Sequence, residues 1–481
     1  MHISLCKTIA SYCLYCLPVA DRLKMNEQLD KKDNFLKGLY QIIDEQAKII
    51  DQLKANVIQL KEEIHLLKNP KNSHTGSVPP SKDENRKTKS LRQKTGRKTG
   101  GQKGHKGHTL ELSKTPDDVV VHLYSFCQRC GKDIRDLEGT LRQKRQVVDL
   151  PVVRAMYTEH QCYDKVCGCG HINKSEFPKQ VNARVQYGVN VEAQVAYMST
   201  RQYMPYGRIA EFFKDAYGLP LSQGSVDNLL ERFAGKAILT YQRIQENISK
   251  ASVVGADETG AKINGKRAWV HTWQNTSNTF LAISTSRGNL AIQENFPNGF
   301  PSSILVSDAW AAQLATPAKF HQLCLAHLLR ELNHFIEIYQ QKWSADIKSV
   351  LLQAIGLKKE MKADHYHYAC QRRDKIEERL DRLLERSINE KHKKMIPFKK
   401  RLIKNRKAIF QFLYHLEVPA DNNASERAIR NVKVKQKVSA QFKSFRGAEI
   451  FVIIRSVINT AIKRNRNVLE CLKLNAEIVP E

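Results

Sequence analysis

"VVGADETGAKINGKRAW", Val253 to Trp269, is the stretch on which the fold turns. An apolar, β-branched run climbs to Asp257 and Glu258. The Asn264-Gly265 pair is a strong hairpin turn, and "RAWVHTWQN" returns as a second strand. Two carboxylates at a strand's end allow two readings: acids solvated there, or one ligand of a catalytic metal. Glu258 faces the opposite side of the strand from Asp257 and is a poor co-ligand. "TFLAISTS" reads as a third antiparallel strand, and a helix is expected near Gly288 to Glu294. "SSILVSDAW" is then another apolar strand ending in an acid, Asp308. Asp257 and Asp308 are 51 residues apart. If their strands are neighbours in one sheet, the two carboxylates lie side by side.

Further along, residues 331–418 turn charged and helical, as in "DKIEERLDRLLERSINEKHKK", and read as an insertion. The chain then reaches "VPADNNASERAIRNVKVKQKVSAQFKSFRGAE". Asp421, Asn422 or Asn423 can cap a helix there, with Glu426 in its first turns, where an acid suits the helix dipole. From Arg427 to Arg446 there are seven basic residues and no acid. Carboxylates from separate segments suit hard cations such as Mg²⁺ or Mn²⁺, and a paired-ion site of this kind serves phosphodiester chemistry. No Ser-His-Asp arrangement and no phosphate-cradling glycine loop competes.

Outward from this region, the whole chain is basic. Lys plus Arg outnumber Asp plus Glu by 78 to 49, a net charge of +29 over 481 residues. Such a surplus points to a polyanionic partner, with nucleic acid the usual one. No apolar run is long enough to span a membrane. Residues 1–24 read as preceding the true start, with Met25 opening the folded protein. In residues 25–68, Leu36, Ile43, Ile50, Val57 and Ile64 fall at one heptad position. Leu39, Gln46, Leu53, Leu60 and Leu67 fall three residues later, a coiled-coil seam of the parallel-dimer type. Residues 69–112 read as a flexible basic linker, with eleven Lys or Arg against two acids from Asn69 to Leu110. Within residues 113–175, Cys127 and Cys130, then Cys167 and Cys169, look like two knuckles of a structural Zn²⁺ ribbon. The second pair is C-x-C, so Cys162 or His171 is an alternative ligand. Residues 176–250 show two helices broken at Gly218–Pro220, with Ser222 as cap, the outline of a helix-turn-helix.

The motifs "ADETG" with "INGK", "SDAW", "CLAHLLREL" and above all "DNNASERAIRNVKVKQKVS" resemble those of the insertion sequence 66 family of DDE transposases. The order of parts, including "PPSKD" and "GGQKGHKGHTL", is also similar, and the likeness runs from about Leu36 onward. It implies an α/β catalytic domain, an RNase H-like mixed sheet with a helical insertion, following the coiled coil, zinc ribbon and helical domain. On this pattern the catalytic domain begins at 251–330 and ends within 419–481. The resemblance makes Asp257, Asp308 and Glu426 the catalytic triad and Mg²⁺ or Mn²⁺ ligands, with Cys324, His327 and Arg330 beside them. Arg427, Arg430, Lys433, Lys435 and Lys437 are expected to contact DNA phosphates. The implied activity is cleavage at element ends and strand transfer into target DNA. A homodimer through the coiled coil, possible accessory proteins of the same element, and a cytoplasmic, nucleoid-associated setting in a bacterium complete the expectation. The chain departs from the pattern at Ala309, at the C-x-C knuckle and in its first 24 residues.

Overall fold

The computed structural model describes residues 19–68, 104, 111–366, 368–388 and 394–478. Most of the expected linker 69–112 and most of residues 1–24 lie outside them. No helix among the described residues is long and apolar enough to cross a membrane. The chain divides into two compact units. One holds residues 1–86 and 233–478, and the other holds 87–232 with the last three residues.

The first unit opens with one continuous helix, α1 (Val19–Lys68). The heptad residues Leu36, Ile43, Ile50, Leu53, Val57, Leu60 and Ile64 are all exposed on it, each by 41% or more. An apolar stripe of that length is open to pairing with another helix.

In the second unit the two cysteine pairs sit in tight turns. The Gly131 N–H donates to Cys127 O, and Gly170 N–H to Cys167 O. Both glycines take positive φ, 72° and 87°, which the turns require. The second turn is carried by a short hairpin, β1 (Asp164–Val166) with β2 (Ile172–Lys174). Backbone N–H groups of Cys130 and Arg129 hold the Cys127 thiol below its ordinary range, and the Cys169 N–H does the same for Cys167. Three or more of these donors do not gather within ligand distance among the described residues. Each turn is shaped by its own hydrogen bonds.

Helices α2 (Val189–Ala196) and α3 (Tyr206–Tyr217) follow, and α4 (Gln223–Ser249) begins in this unit and continues into the first. Gly218 ends α3 in the left-handed region at φ 65°. Ser222 Oγ accepts from the Ser225 N–H and caps α4. Arg232 pairs at 2.8 Å with Glu192, which is 1% exposed.

The sheet of the first unit follows from the opening stretch. Strand β3 (Val253–Ile263) turns at Asn264 and Gly265, both with positive φ, into β4 (Lys266–Gln274), which pairs with β5 (Thr279–Ser284). After α5 (Asn289–Asn295), β6 (Phe300–Ser307) runs parallel to β3 on its other side. Then α6 (Ala311–Ala315) leads to β7 (Ala318–Leu323), parallel to β6. The order is β5-β4-β3-β6-β7, three antiparallel strands and two parallel ones. Trp273, Phe280 and Phe300 are fully buried on this sheet, each contributing about 1.5–3 kcal/mol of burial.

Four helices come next: α7 (Leu325–Tyr339), α8 (Lys342–Glu360), α9 (Gln371–Glu385) and α10 (Met395–Lys404). Their apolar faces share one core with Ile304, Val306 and Leu323 of β6 and β7. Gln322, buried on β7, donates to Ile409 O and accepts from the Phe412 N–H, so returning chain covers that part of the strand. Helix α11 (Asn423–Ser439), α12 (Phe445–Lys463) and α13 (Val468–Ala476) finish the unit. On α12, Ser456 Oγ and Thr460 Oγ1 accept from the Leu281 and Thr279 N–H groups of β5. An edge strand is thereby closed by hydroxyls of a helix.

Candidate functional site

Asp257 does not end its strand as expected: it lies within β3, paired with Thr272 of β4, because the hairpin carries the strand on to Ile263, whereas Asp308 directly follows the end of β6. Gly255 is the last residue of β3 to pair with β6, opposite Val306, and Asp257 and Asp308 each lie two residues beyond that pair. The Asp308 carboxylate is turned by a local bond, its Oδ1 accepting from the Trp310 N–H at 3.1 Å. Burial holds the Asp257 carboxyl well above its ordinary range, and the charges of Glu258, Asp308 and Glu426 add to the rise. Asp308 and Glu426 therefore lie within electrostatic reach of Asp257, although among the described residues the three acids do not gather within 4.8 Å of one another. Half-buried acids with mutually unfavourable charges, on separate elements, fit a divalent cation.

Glu426 arrives on α11, whose first turn is clipped to the sheet by backbone and side-chain bonds. The Leu325 N–H donates to Ala420 O at 2.9 Å. The Asn422 N–H donates to Cys324 Sγ at 3.2 Å, and Asn422 Nδ2 to Ala256 O at 2.6 Å. Asn422 stands at the cap position but its side chain makes no cap bond; it reaches across to β3 instead. Asp421 Oδ1 accepts from the Asn423 N–H. Ser425 Oγ donates to Asn422 Oδ1 at 2.6 Å. All this fits because residue 255 is glycine: a Cβ there would meet the Gln274, Ser425 and Asn422 side chains, all within 3 Å, Gln274 nearest. A lone glycine inside a strand pattern is the sequence signal for such close approach.

Cys324, His327 and Arg330 are brought to Glu426. Arg330 Nη2 lies 3.2 Å from Glu426 Oε1, and His327 Nδ1 lies 3.9 Å from it. Burial lowers the His327 pKa, and the Arg330 charge lowers it further, so the ring is neutral near pH 7. Burial pushes the Cys324 thiol up to about 11, against the pull of backbone N–H groups of His327, Asn422 and Ala326.

The basic residues after Glu426 are divided by the helix. Alternation gathers side chains on one face of a strand, whereas at 100° per residue it scatters them. Lys433 and Lys437 share one side of α11, and Lys435 lies about 200° from Lys433. Lys433 is turned inward, its ammonium donating to Gly260 O. Burial lowers the Lys435 pKa. Arg427, Arg430 and Lys437 are exposed. The helix therefore does not set Lys433, Lys435 and Lys437 in one row.

One feature had no counterpart in the motif reading. Arg287 binds Glu258 Oε1 through Nη2 at 2.9 Å and Nε at 3.1 Å. Its guanidinium lies 3.8 Å from the Trp310 ring centroid and 4.9 Å from that of Trp269. The bolt joins β3, β4 and the loop after Asp308. The Glu258 side chain is 2% exposed and that of Arg287 38%. Arg287→Ala leaves a buried carboxylate beside Asp308 without its cation. Full burial of both partners would put the loss near 3–5 kcal/mol; with Arg287 partly exposed, about 2 kcal/mol is expected. Urea unfolding checks this, and a change below about 0.5 kcal/mol, the scale of an ordinary surface substitution, would contradict it.

No curated protein matches the chain. A profile described as a family of unknown function (DUF6444) matches residues 31–111, over the α1 helix and the basic segment after it. A second profile, described as the Transposase IS66 family, matches residues 184–450. That match takes in the α2 to α4 helices, the whole sheet, the helical segment and α11, more than half of the chain. With the sheet, the clipped helix and the clustered acids all inside the matched span, the chain belongs to the IS66 family of transposases.

Proposed function

We propose that this transposase is a metal-dependent DNA-cutting and DNA-joining enzyme of the DDE type, with Asp257, Asp308 and Glu426 as its catalytic acids. The observation that carries the reading is that acids from β3, the end of β6 and α11 lie close enough for the charges of Asp308 and Glu426 to add to the rise that burial gives the Asp257 pKa. The strand order, three antiparallel then two parallel, and a helical segment inserted before the acid-bearing helix support an RNase H-like catalytic fold. When bound, Mg²⁺ or Mn²⁺ neutralises charge on the phosphate and activates the attacking oxygen.

The chain's own residues set the stage for this. Asp257 must give up the proton that burial favours before it serves as a ligand. Asn422 and Ser425 fix where Glu426 stands, and Arg330 orients its carboxylate. Arg427, Arg430 and Lys437 offer exposed charge to DNA phosphates, which position the duplex without reading it. Exposed seam residues of α1 suit pairing of two protomers, and so of two element ends. The cysteine turns suit structural Zn²⁺. Accessory proteins of the same element belong to the proposal as possible partners.

The test uses the full chain with DNA carrying the ends of its own element, in Mg²⁺ or in EDTA. Cleaved and joined products are expected only with Mg²⁺. Glu426→Gln is expected to bind the DNA as the wild type does and to give no joined product. Full strand transfer by that variant would end the reading, and nicks without joining would indicate a hydrolytic nuclease.

A further inference from the structure

Cys324 closes β7 and stands at the cap position of α7, and His327 follows three residues later on the same helix. Glu426 faces them from α11. The sulfur, a ring nitrogen and a carboxylate oxygen all lie within 4.8 Å of one another, and among the described residues this is the only such group of three. His327 Nδ1 is buried without a hydrogen-bond partner there. The sulfur accepts the Asn422 N–H at 3.2 Å, a bond that supports negative charge on sulfur. We infer that Cys324, His327 and Glu426 form a site for a thiophilic divalent cation, Zn²⁺ foremost, which shares Glu426 with the acid cluster.

The donor set argues for the cation. Mg²⁺ takes oxygen ligands and disfavours thiolate, whereas one sulfur, one imidazole nitrogen and one carboxylate suit zinc. Tetrahedral zinc holds such donors at about 2.0–2.3 Å from the metal, hence about 3.5 Å from one another. His327 Nδ1 and Glu426 Oε1 already stand 3.9 Å apart, and the three donors have to close from at most 4.8 Å. Three protein ligands leave a fourth position open, as in zinc sites that exchange a ligand. Charge balances as well: thiolate and carboxylate match Zn²⁺, and Arg330, which reaches both Glu426 oxygens, can keep the second. Binding replaces the S–H bond with an S–Zn bond and releases the proton to solvent; no electron moves. The consequence for activity rests on the reading above: with Glu426 drawn to zinc, Mg²⁺ loading loses a ligand, so zinc restrains the enzyme.

Co²⁺ is the probe, titrated into the full chain. The pairs at Cys127–Cys130 and Cys167–Cys169 also take cobalt, so the readout is a difference between chains. Wild type is expected to bind one Co²⁺ equivalent more than Cys324→Ser, with an added thiolate-to-cobalt charge-transfer band. His327→Gln is expected to lose the same equivalent. Thermal melts establish that each variant is folded, and His327, with 25% of its side chain exposed, carries the test if the cysteine variant does not fold. Equal equivalents and superimposable spectra in all three chains would overturn the inference. Metal counting is independent of strand transfer, so that outcome would leave the transposase reading standing. Equally, a chain inactive on DNA still answers the zinc question.

Discussion

Asp257→Asn is expected to make the metal-free protein more stable while removing Mg²⁺-dependent cleavage. The folded state holds the Asp257 proton above the ordinary carboxylate range, because burial and three neighbouring acids disfavour its charge. A carboxyl whose folded pKa is raised favours the folded state at low pH. That contribution is lost as pH rises from the unfolded pKa, about 3.9, through the raised folded one. At neutral pH the ionised acid therefore costs stability, and the neutral amide relieves it by about 1 kcal/mol, the usual scale of stability traded for function. The gain should shrink below about pH 4, where Asp257 is protonated in folded and unfolded chains alike. Outer partners of a metal centre cost about 10–100-fold when removed, so losing a ligand should cost more than about 100-fold. Thermal melts across pH, with product analysis at neutral pH, read both effects. A variant less stable than wild type at neutral pH would mean that Asp257 is a satisfied structural acid.

Gly255→Ala tests the frame rather than the chemistry. A methyl at this position meets Gln274 on one side and Ser425 and Asn422 on the other. None yields freely: Gln274 is buried and holds Lys463, and Asn422 is bonded to Ala256 O. The start of α11 is expected to move off the sheet and carry Glu426 with it. Overpacking of this kind costs about 1–3 kcal/mol. A displacement of 1 Å at a reacting centre costs about 10²-fold in rate. Gly356→Ala is the control, because nothing lies within 4 Å of a Cβ there, and in a helix it should stabilise by about 0.5–1 kcal/mol. Urea unfolding and strand-transfer rates on both variants check this. Wild-type rates in Gly255→Ala would show that α11 needs no close seat on β3.

Much of the sheet was legible because each strand carries its own signal. The apolar runs and the Asn264-Gly265 turn name β3, β4 and β6 directly, but β3 runs on past Asp257 to Ile263, because pairing with β4 sustains the strand beyond its apolar half. The adjacency of β3 and β6 followed from treating two acid-ended strands as neighbours. What stayed hidden depends on contacts between distant segments. Asn422 reads as a helix cap, and only the closeness of β3 turns its side chain to Ala256 instead. The lysines at 433, 435 and 437 alternate in sequence, and the rotation of the helix sends Lys435 to a different side from the other two. Arg287 is ordinary in sequence and acquires its role only when Glu258, Trp269 and Trp310, from three separate segments, come within its reach. The Cys324, His327 and Glu426 grouping joins residues 102 positions apart, from the start of α7 and from α11. The cysteine turns were visible from Cys-Gly spacing, but spacing within a pair says nothing about the distance between pairs.

The measurement that bears most directly on the central claim is Mn²⁺ binding to the full chain and to Asp257→Asn, Asp308→Asn and Glu426→Gln, each made singly. Mn²⁺ favours oxygen ligands over thiolates, so the cysteine turns do not obscure the count. If the three acids hold one cation centre, every one of the three substitutions weakens the same Mn²⁺ binding. If any one variant binds Mn²⁺ as the wild type does, its acid is not part of the centre, and the account of this transposase's site fails at that residue.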